Sequence, residues 1–290
     1  MSLTLFVDIT VGGLILGGLY ALIAVGLSLQ YGVARVLNVS HGEFIMLGAL
    51  ATYSLYTLFD INPLISLVIT GPVIFAIAFL VHNIFFQRLR RSSQSIAAFE
   101  GTSLLASFGF LFIIQNIALL FWGPDIKGYT YFEKQVNLLG AIYGANRLIA
   151  LLFAVGIGLG FYFFLVHSRF GKGIRAAAQD VKTAQLVGVN INRMLGLCFA
   201  LGALLAALAG SLVSTMFELT PFMGLPYTII AIIAVVLGGL GNILGSLIGG
   251  FILGIIGNLV TYLHPGLSLI AYYAIFLLLL LIKPTGIMGK

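Results

Sequence analysis

The chain has 290 residues, of which 61% are hydrophobic and only 8% charged, with 36 glycines and a formal net charge of +6. Soluble globular domains carry roughly 25% charged residues, so this composition excludes a soluble enzyme, a DNA-binding domain or a secreted repeat protein, and the mean hydropathy of +1.16 makes lipid the solvent. The single cysteine, Cys198, excludes an internal disulfide framework, a paired-cysteine redox site and a thiolate metal cluster.

A helix satisfies its own backbone across a hydrocarbon core of about 30 Å and needs about 20 apolar residues to do so. Apolar runs fall near 11–33, 43–59, 64–86, 102–122, 148–166, 194–217, 226–240, 243–263 and 267–282. The expected fold is therefore all-α, a polytopic transmembrane helix bundle of about nine spans, with eight to ten compatible with the runs. Residues 1–290 form a single domain with one polar cytoplasmic segment at 168–192. No basic residue precedes Arg35, so the first run is read as a retained helix and not as a cleaved signal.

The first motif in chain order is Tyr31-Gly-Val-Ala-Arg35-Val-Leu-Asn38-Val-Ser40-His41-Gly42-Glu43. Ser40 followed by Glu43 is a capping-box pattern, which predicts a helix beginning at His41 with its first amides open beside Asn38 and Ser40. Broken helices that present such ends to anionic groups recur in transporters. Asn38, Ser40, His41 and Glu43, with Gln30 and Asn242, are thus the candidates to line a translocation pathway and to hold a substrate carboxylate. The plainer alternative is a cytoplasmic turn in which Glu43 pairs with Arg35. Other polar groups in the runs are few, chiefly His82, Asn83, Gln115, Asn116, Asn258 and, at an edge, Glu218.

Arg88, Arg90 and Arg91 form one basic cluster; Arg169, Lys172, Arg175, Lys182 and Arg193 form another. Placing both in the cytoplasm also puts Arg35, Lys283 and Lys290 there and leaves Lys127, Lys134 and Arg147 outside, a strong positive-inside bias. That orientation gives an external N-terminus, a cytoplasmic C-terminus and an external loop at 123–147, with Trp122, Tyr129 and Tyr131 at the outer interface. The basic excess then sets orientation and needs no nucleic acid.

Within 168–192, Ile174, Ala177, Ala178, Val181, Ala184 and Val187 recur at helical spacing, with Arg175, Gln179, Asp180 and Lys182 between them. This predicts a short Ala-rich helix beneath the membrane, ended by Gly188, whose small-residue surface suits a protein partner better than lipid. Further on, Gly241, Gly245 and Gly249 repeat at four-residue spacing, as do Gly250 and Gly254, Gly13 and Gly17, and Gly156 and Gly160. Such spacing lets helix backbones nearly touch.

No phosphate loop of the G-x-x-x-x-G-K-[ST] type occurs, the four histidines are scattered, and no carboxylates cluster. No metal site or catalytic set is expected. A polytopic chain that moves a solute is what these residues support.

The same residues resemble the inner-membrane permease subunits of branched-chain amino-acid type ABC importers. The similarity is carried by Tyr20 to Gly26, Tyr31-Gly32, Leu37-Asn38 with His41-Gly42-Glu43, and Met46 with Gly48-Ala49. Ser168 to Ala176 with Asp180, Ala184 and Gly188 continues it, followed by Val236 to Gly250 and Lys283 to Gly289. The resemblance implies an ATP-driven importer in the bacterial or archaeal cytoplasmic (inner) membrane. Its parts would be this multi-pass chain, a second homologous permease or a copy of itself, two cytoplasmic ATP-binding subunits and an external solute-binding protein. No cofactor is then bound by this chain, since ATP and magnesium sit on the ATPase partners. Gly171, Lys172, Arg175, Asp180, Lys182, Ala184 and Gly188 become the candidates for coupling to those partners. Lys182-Thr183-Ala184 stands where ABC importers in general carry Glu-Ala-Ala, leaving Asp180 as the nearest acidic residue. Gly13, Gly17, Gly241, Gly245, Gly249 and Gly254 are assigned to helix packing. The alternative function is an ion-coupled carrier or channel that uses His41 and Glu43 as a relay.

Overall fold

A computed structural model describes residues 3–289; Lys290, counted above among the cytoplasmic charges, lies outside the described residues. The chain folds as an all-α polytopic bundle. Its first half contains α1 (Leu3–Ala34), α2 (His41–Phe59), α3 (Pro63–Val81), α4 (Gln87–Ser92) and α5 (Ile96–Trp122). A π-turn at His82–Phe86 joins α3 to α4. The second half contains α6 (Ala145–His167), α7 (Arg169–Gln179), α8 (Val181–Leu186), α9 (Ile191–Ser214), α10 (Gly224–Gly238), α11 (Ile243–Leu263) and α12 (Ser268–Ile282). Polar residues ahead of the apolar runs set several starts: Asn62, Ser95, Asn190 and Asn242 each accept an amide of the first turn.

Each of the nine expected runs is helical, but they are not equal. Among the described residues eight helical segments are long and apolar enough to cross a membrane, α12 reaching 18 residues with the helical turn Pro265–Leu267 ahead of it, whereas α10 has 15 residues, about 22 Å of rise against a core of about 30 Å. The reason appears below, where α10 begins.

Small residues hold the bundle together. Ala200, Ala203, Ala206 and Ala207 of α9 are wholly buried at its centre. Helices α1 and α11 cross so closely that a Cβ on Gly13 would stand 2.7 Å from the Ile255 Cα, and one on Gly254 would stand 2.2 Å from the Gly17 nitrogen. Gly245 meets Gly238 and Gly249 meets Ala234 in the same way, pairing α10 with α11. The packing expected of these glycines is present, with van der Waals contact and not water driving it. Two details differ. Gly241 is not a helical residue but a turn residue with φ of 79° lying against Gly32. Gly156 and Gly160 meet nothing within 4 Å, so their repeat packs no helix of this chain.

The loop at 123–147 contains a hairpin the apolar pattern did not announce, β1 (Gln135–Leu138) against β2 (Ala141–Gly144). Leu139 and Gly140 turn it with positive φ, the geometry tight hairpins favour. Trp122 Nε1 donates to Ser54 Oγ, Tyr131 OH to Asn62 Oδ1, and Tyr129 OH bonds Ser214 Oγ. The interfacial aromatics thereby pin this loop to the ends of α2, α3 and α9. Burial pushes the Tyr129 phenol up to about 12, so it stays a neutral partner.

Candidate functional site

Helix α2 starts at His41 as expected, but not at the membrane surface. His41 Nε2 lies 3.1 Å from the Ile23 carbonyl, about three turns above the end of α1. Ser107 donates to the Leu37 carbonyl and accepts from the Val39 amide, about three turns into α5. Thr228, about three turns from the end of α10, accepts from the Gly42 amide and donates to the Val39 carbonyl. Three helices thus give the same depth, about 15 Å from the face that carries the arginine clusters. The linker 35–40 folds back into the bundle to reach it, replacing the expected surface turn.

Helix α10 begins at this depth too, which is why it is short. It runs toward the basic face while α2 runs away from it, and their first turns touch: a Cβ on Gly42 would fall 1.8 Å from the Gly224 carbonyl oxygen. Two broken segments with apposed N-termini near mid-membrane form the arrangement seen at transporter sites.

The capping box does not form. Asn38 Oδ1 accepts both the Ser40 amide and the Ser40 hydroxyl, and its Nδ2 donates to Gln30 Oε1. Gln30 in turn donates to the Phe199 carbonyl, and its Oε1 lies 3.2 Å from His41 Nδ1. Gln30, Asn38, Ser40 and His41 are all buried and bind α1, the linker and α9 into one hydrogen-bonded knot. The first amides of α2 are consumed as well, by the Asn38 carbonyl, Thr228 Oγ1 and the Ser40 carbonyl. None is left for a substrate carboxylate.

Glu43 is the exception. It has 0% exposure, and neither carboxylate oxygen has a hydrogen-bond partner among the described residues. Its carboxylate lies over Gly224, where a Cβ would be 2.3 Å from Oε1. Arg35, the partner of the plainer alternative, instead reaches Glu100 at 3.9 Å. A buried charge without a partner is costly, and a cation reaching the junction would relieve that cost. Toward the basic face, about two turns or more along α10 from Gly224, lies an apolar cavity of about 90 Å³ whose lining includes Leu27, Val36, Asn38, Leu104 and Ile232 but not Glu43.

Asn242, the remaining pathway candidate, is elsewhere. It caps α11 by accepting the Gly245 amide and donates to the Met288 carbonyl. Sequence reasoning missed Thr228, Ser107 and Gly224; hydroxyls inside apolar helices commonly bond their own preceding turn, so only the three-dimensional path of the linker distinguishes these two.

The predicted coupling helix is two helices. The chain extends at Asp180, with φ of −154°, where Thr183 Oγ1 donates to its carboxylate. Gly188, φ of 84°, ends α8 as expected. Ile174, Ala177 and Ala184 are buried against this chain's own core, whereas Ala178 and Val187 of the same predicted face are exposed. Gly171 and Arg175 also serve the chain itself: Gly171 lies against the Leu165 carbonyl, and Arg175 donates to the Leu165 and Val166 carbonyls at the end of α6, a charge-favoured C-terminal cap. Lys172, Asp180 and Gly188 are exposed, while the Lys182 side chain lies outside the described residues. What the elbow presents outward is Leu186 and Val187, 88% and 74% exposed.

Comparison with known proteins agrees over nearly the whole chain. Residues 9–282 match the family model described as branched-chain amino acid transport system / permease component. The chain is 32% identical to the high-affinity branched-chain amino acid transport system permease protein LivH of Escherichia coli (strain K12), over 96% of this chain and 94% of the relative. It is 30% identical to the corresponding protein BraD of Pseudomonas aeruginosa, over 97% and 94%. The ribose import permease protein RbsC of Escherichia coli (strain K12) is 30% identical over 54% of this chain and 51% of the relative. No solved structure matches.

Proposed function

The chain belongs to the branched-chain amino acid ABC transporter permease family, a multi-pass protein of the cytoplasmic membrane, and we propose that it forms the solute pathway of an ATP-driven importer for branched-chain or related amino acids. Its relatives by name serve branched-chain amino acid transport. In this reading a second permease, or a second copy, completes the pathway. Two ATP-binding subunits bind at the basic face and hold ATP and magnesium, and an external solute-binding protein delivers cargo.

The observation that carries this is the partnerless carboxylate of Glu43 at the meeting point of two broken helices. An amino acid brings an ammonium group, which in this reading pairs with the Glu43 carboxylate once the junction opens, while the cargo's own carboxylate is met by groups that the closed junction does not present. Gln30, Asn38, Ser40 and His41 position the junction without touching cargo. They form the knot that must shift for Glu43 to open. Because α7 packs on α6 and α9 through buried Ile174 and Ala177, a push on the α7–α8 elbow is transmitted to the helix whose Phe199 carbonyl holds Gln30. A two-state element moved by partner closure is what coupling requires.

Leu186 and Val187 are the contact assigned to the ATPase. Leu186→Glu combined with Val187→Glu should leave the membrane fold intact, since exposed substitutions change stability by about 0.5 kcal/mol or less, while co-purification of an ATP-hydrolysing subunit and ATP-dependent uptake are both lost. Retention of both with the double variant would refute this docking surface.

A further inference from the structure

At the basic end of the bundle, apart from the junction, a cavity of about 230 Å³ is lined by Arg35, Arg90, Ser93, Ser95, Ile96 and Phe99. Two guanidinium groups and two hydroxyls share it. Arg90 lies over the Phe99 ring at 5.8 Å, and its Nη1 is buried with no hydrogen-bond partner among the described residues. Leaving a buried charged donor unbonded is costly, and that cost is recovered if an acceptor comes from outside the chain. Arg35 reaches the Tyr31 ring and, at 3.9 Å, the Glu100 carboxylate, an ion pair too long and too exposed to occupy all five donors of a guanidinium. The long helix α5 opens onto the same cavity with its N-terminal end, capped only at Ala98 by Ser95, and adds a partial positive charge.

We propose that this cavity binds the phosphate of an anionic membrane lipid. Paired guanidinium groups favour phosphate because each presents a planar fork to its oxygens. The lipid source follows from what surrounds the cavity. Ile96 at its rim is 64% exposed, and the cavity lies at the basic end of the spanning helices α1 and α5, the level of lipid headgroups. A phosphate tethered to acyl chains covers both the charged cavity and its apolar rim, whereas a free phosphate covers only the first. Basic pockets between helices at this level of a bilayer are suited to such headgroups. Bound there, the headgroup holds Arg35, the residue at which α1 ends and the linker to the junction begins.

The test follows lipid retention by the full chain with native mass spectrometry, using detergent micelles supplemented with phosphatidylglycerol or with phosphatidylcholine. Phosphatidylglycerol should be retained in preference. Arg90→Gln should lower its occupancy roughly fivefold, with a similar further loss on adding Arg35→Gln, as expected of about 1 kcal/mol per arginine. Arg90→Lys, which keeps the charge but not the fork, should fall between, and Arg193→Gln, exposed on the same face, should change nothing; unaltered melting temperatures exclude misfolding as the cause. Equal retention of the two lipids, full retention by the double variant, or displacement of phosphatidylglycerol by millimolar inorganic phosphate would overturn the assignment.

Discussion

The two segments richest in polar residues are built in opposite ways. At the junction of α2 and α10, Gly42 and Gly224 press backbone on backbone, and every polar side chain is buried. At the α7–α8 elbow, a Cβ on Gly188 would meet nothing within 4 Å, and two large apolar side chains stand in the open. In the proposed reading the sealed polar site acts on cargo that enters only when helices move, and the open apolar one meets another protein. The contrast separates the proposed place of cargo from the proposed place of energy input, within one chain and about half a bilayer apart.

The strongest way to break the sealed region is steric. Gly42→Leu drives a side chain into the Gly224 carbonyl, where backbone cannot yield, and should cost about 3 kcal/mol or more, at or above the usual range for overpacking. The check is the yield and melting temperature of the detergent-purified chain, and wild-type values would mean that α2 and α10 do not touch as described.

Charge sharpens the comparison next. Glu43→Gln keeps the size of the side chain and removes the lone buried carboxylate, so the melting temperature should hold or rise while the initial uptake rate falls at least tenfold, roughly 1.4 kcal/mol in barrier terms. Measured uptake at the wild-type rate would show that the ammonium of the cargo does not use this residue.

The smallest effect is expected at the elbow. Gly188→Ala meets open space, so only the left-handed backbone opposes it, at about 1 kcal/mol. Denaturation monitored by circular dichroism should register that much and no more, and a loss as large as that of Gly42→Leu would mean that Gly188 is packed after all.

Much of this architecture was legible in the residues because it is local. Runs of apolar side chains located every spanning helix, whereas the starts of α3, α5 and α9, set by Asn62, Ser95 and Asn190, lie ahead of the runs read from the sequence. Four-residue glycine spacing pointed to close helix contacts without saying which helices meet, and the same spacing at Gly156 and Gly160 meets nothing within 4 Å. The start of α2 at His41 was legible too, yet its depth was not. Whether the 35–40 linker lies on the surface or folds inward depends on Thr228 and Ser107, far away in sequence. The same distance hid the chemistry of the site. Ser40 and Glu43 satisfy the capping-box pattern, but Asn38, two residues before Ser40, bonds the Ser40 amide and hydroxyl, and the Glu43 carboxylate is left without a hydrogen-bond partner among the described residues. The Ala-rich face of the coupling segment likewise reads as one docking surface, but the bend at Asp180 buries Ile174, Ala177 and Ala184 and leaves Ala178, Leu186 and Val187 outside.

Reconstitution tests the division between cargo site and energy input most directly. Proteoliposomes containing this chain alone, and others containing it with its co-purifying subunits, are loaded with ATP or left empty, and uptake of labelled leucine from the opposite side is followed with and without an ion gradient. The expected result is uptake only when the partner subunits, the solute-binding protein and ATP are all present. Uptake by the isolated chain on an ion gradient, indifferent to ATP, would contradict it and would make His41 and Glu43 the relay of a self-sufficient carrier.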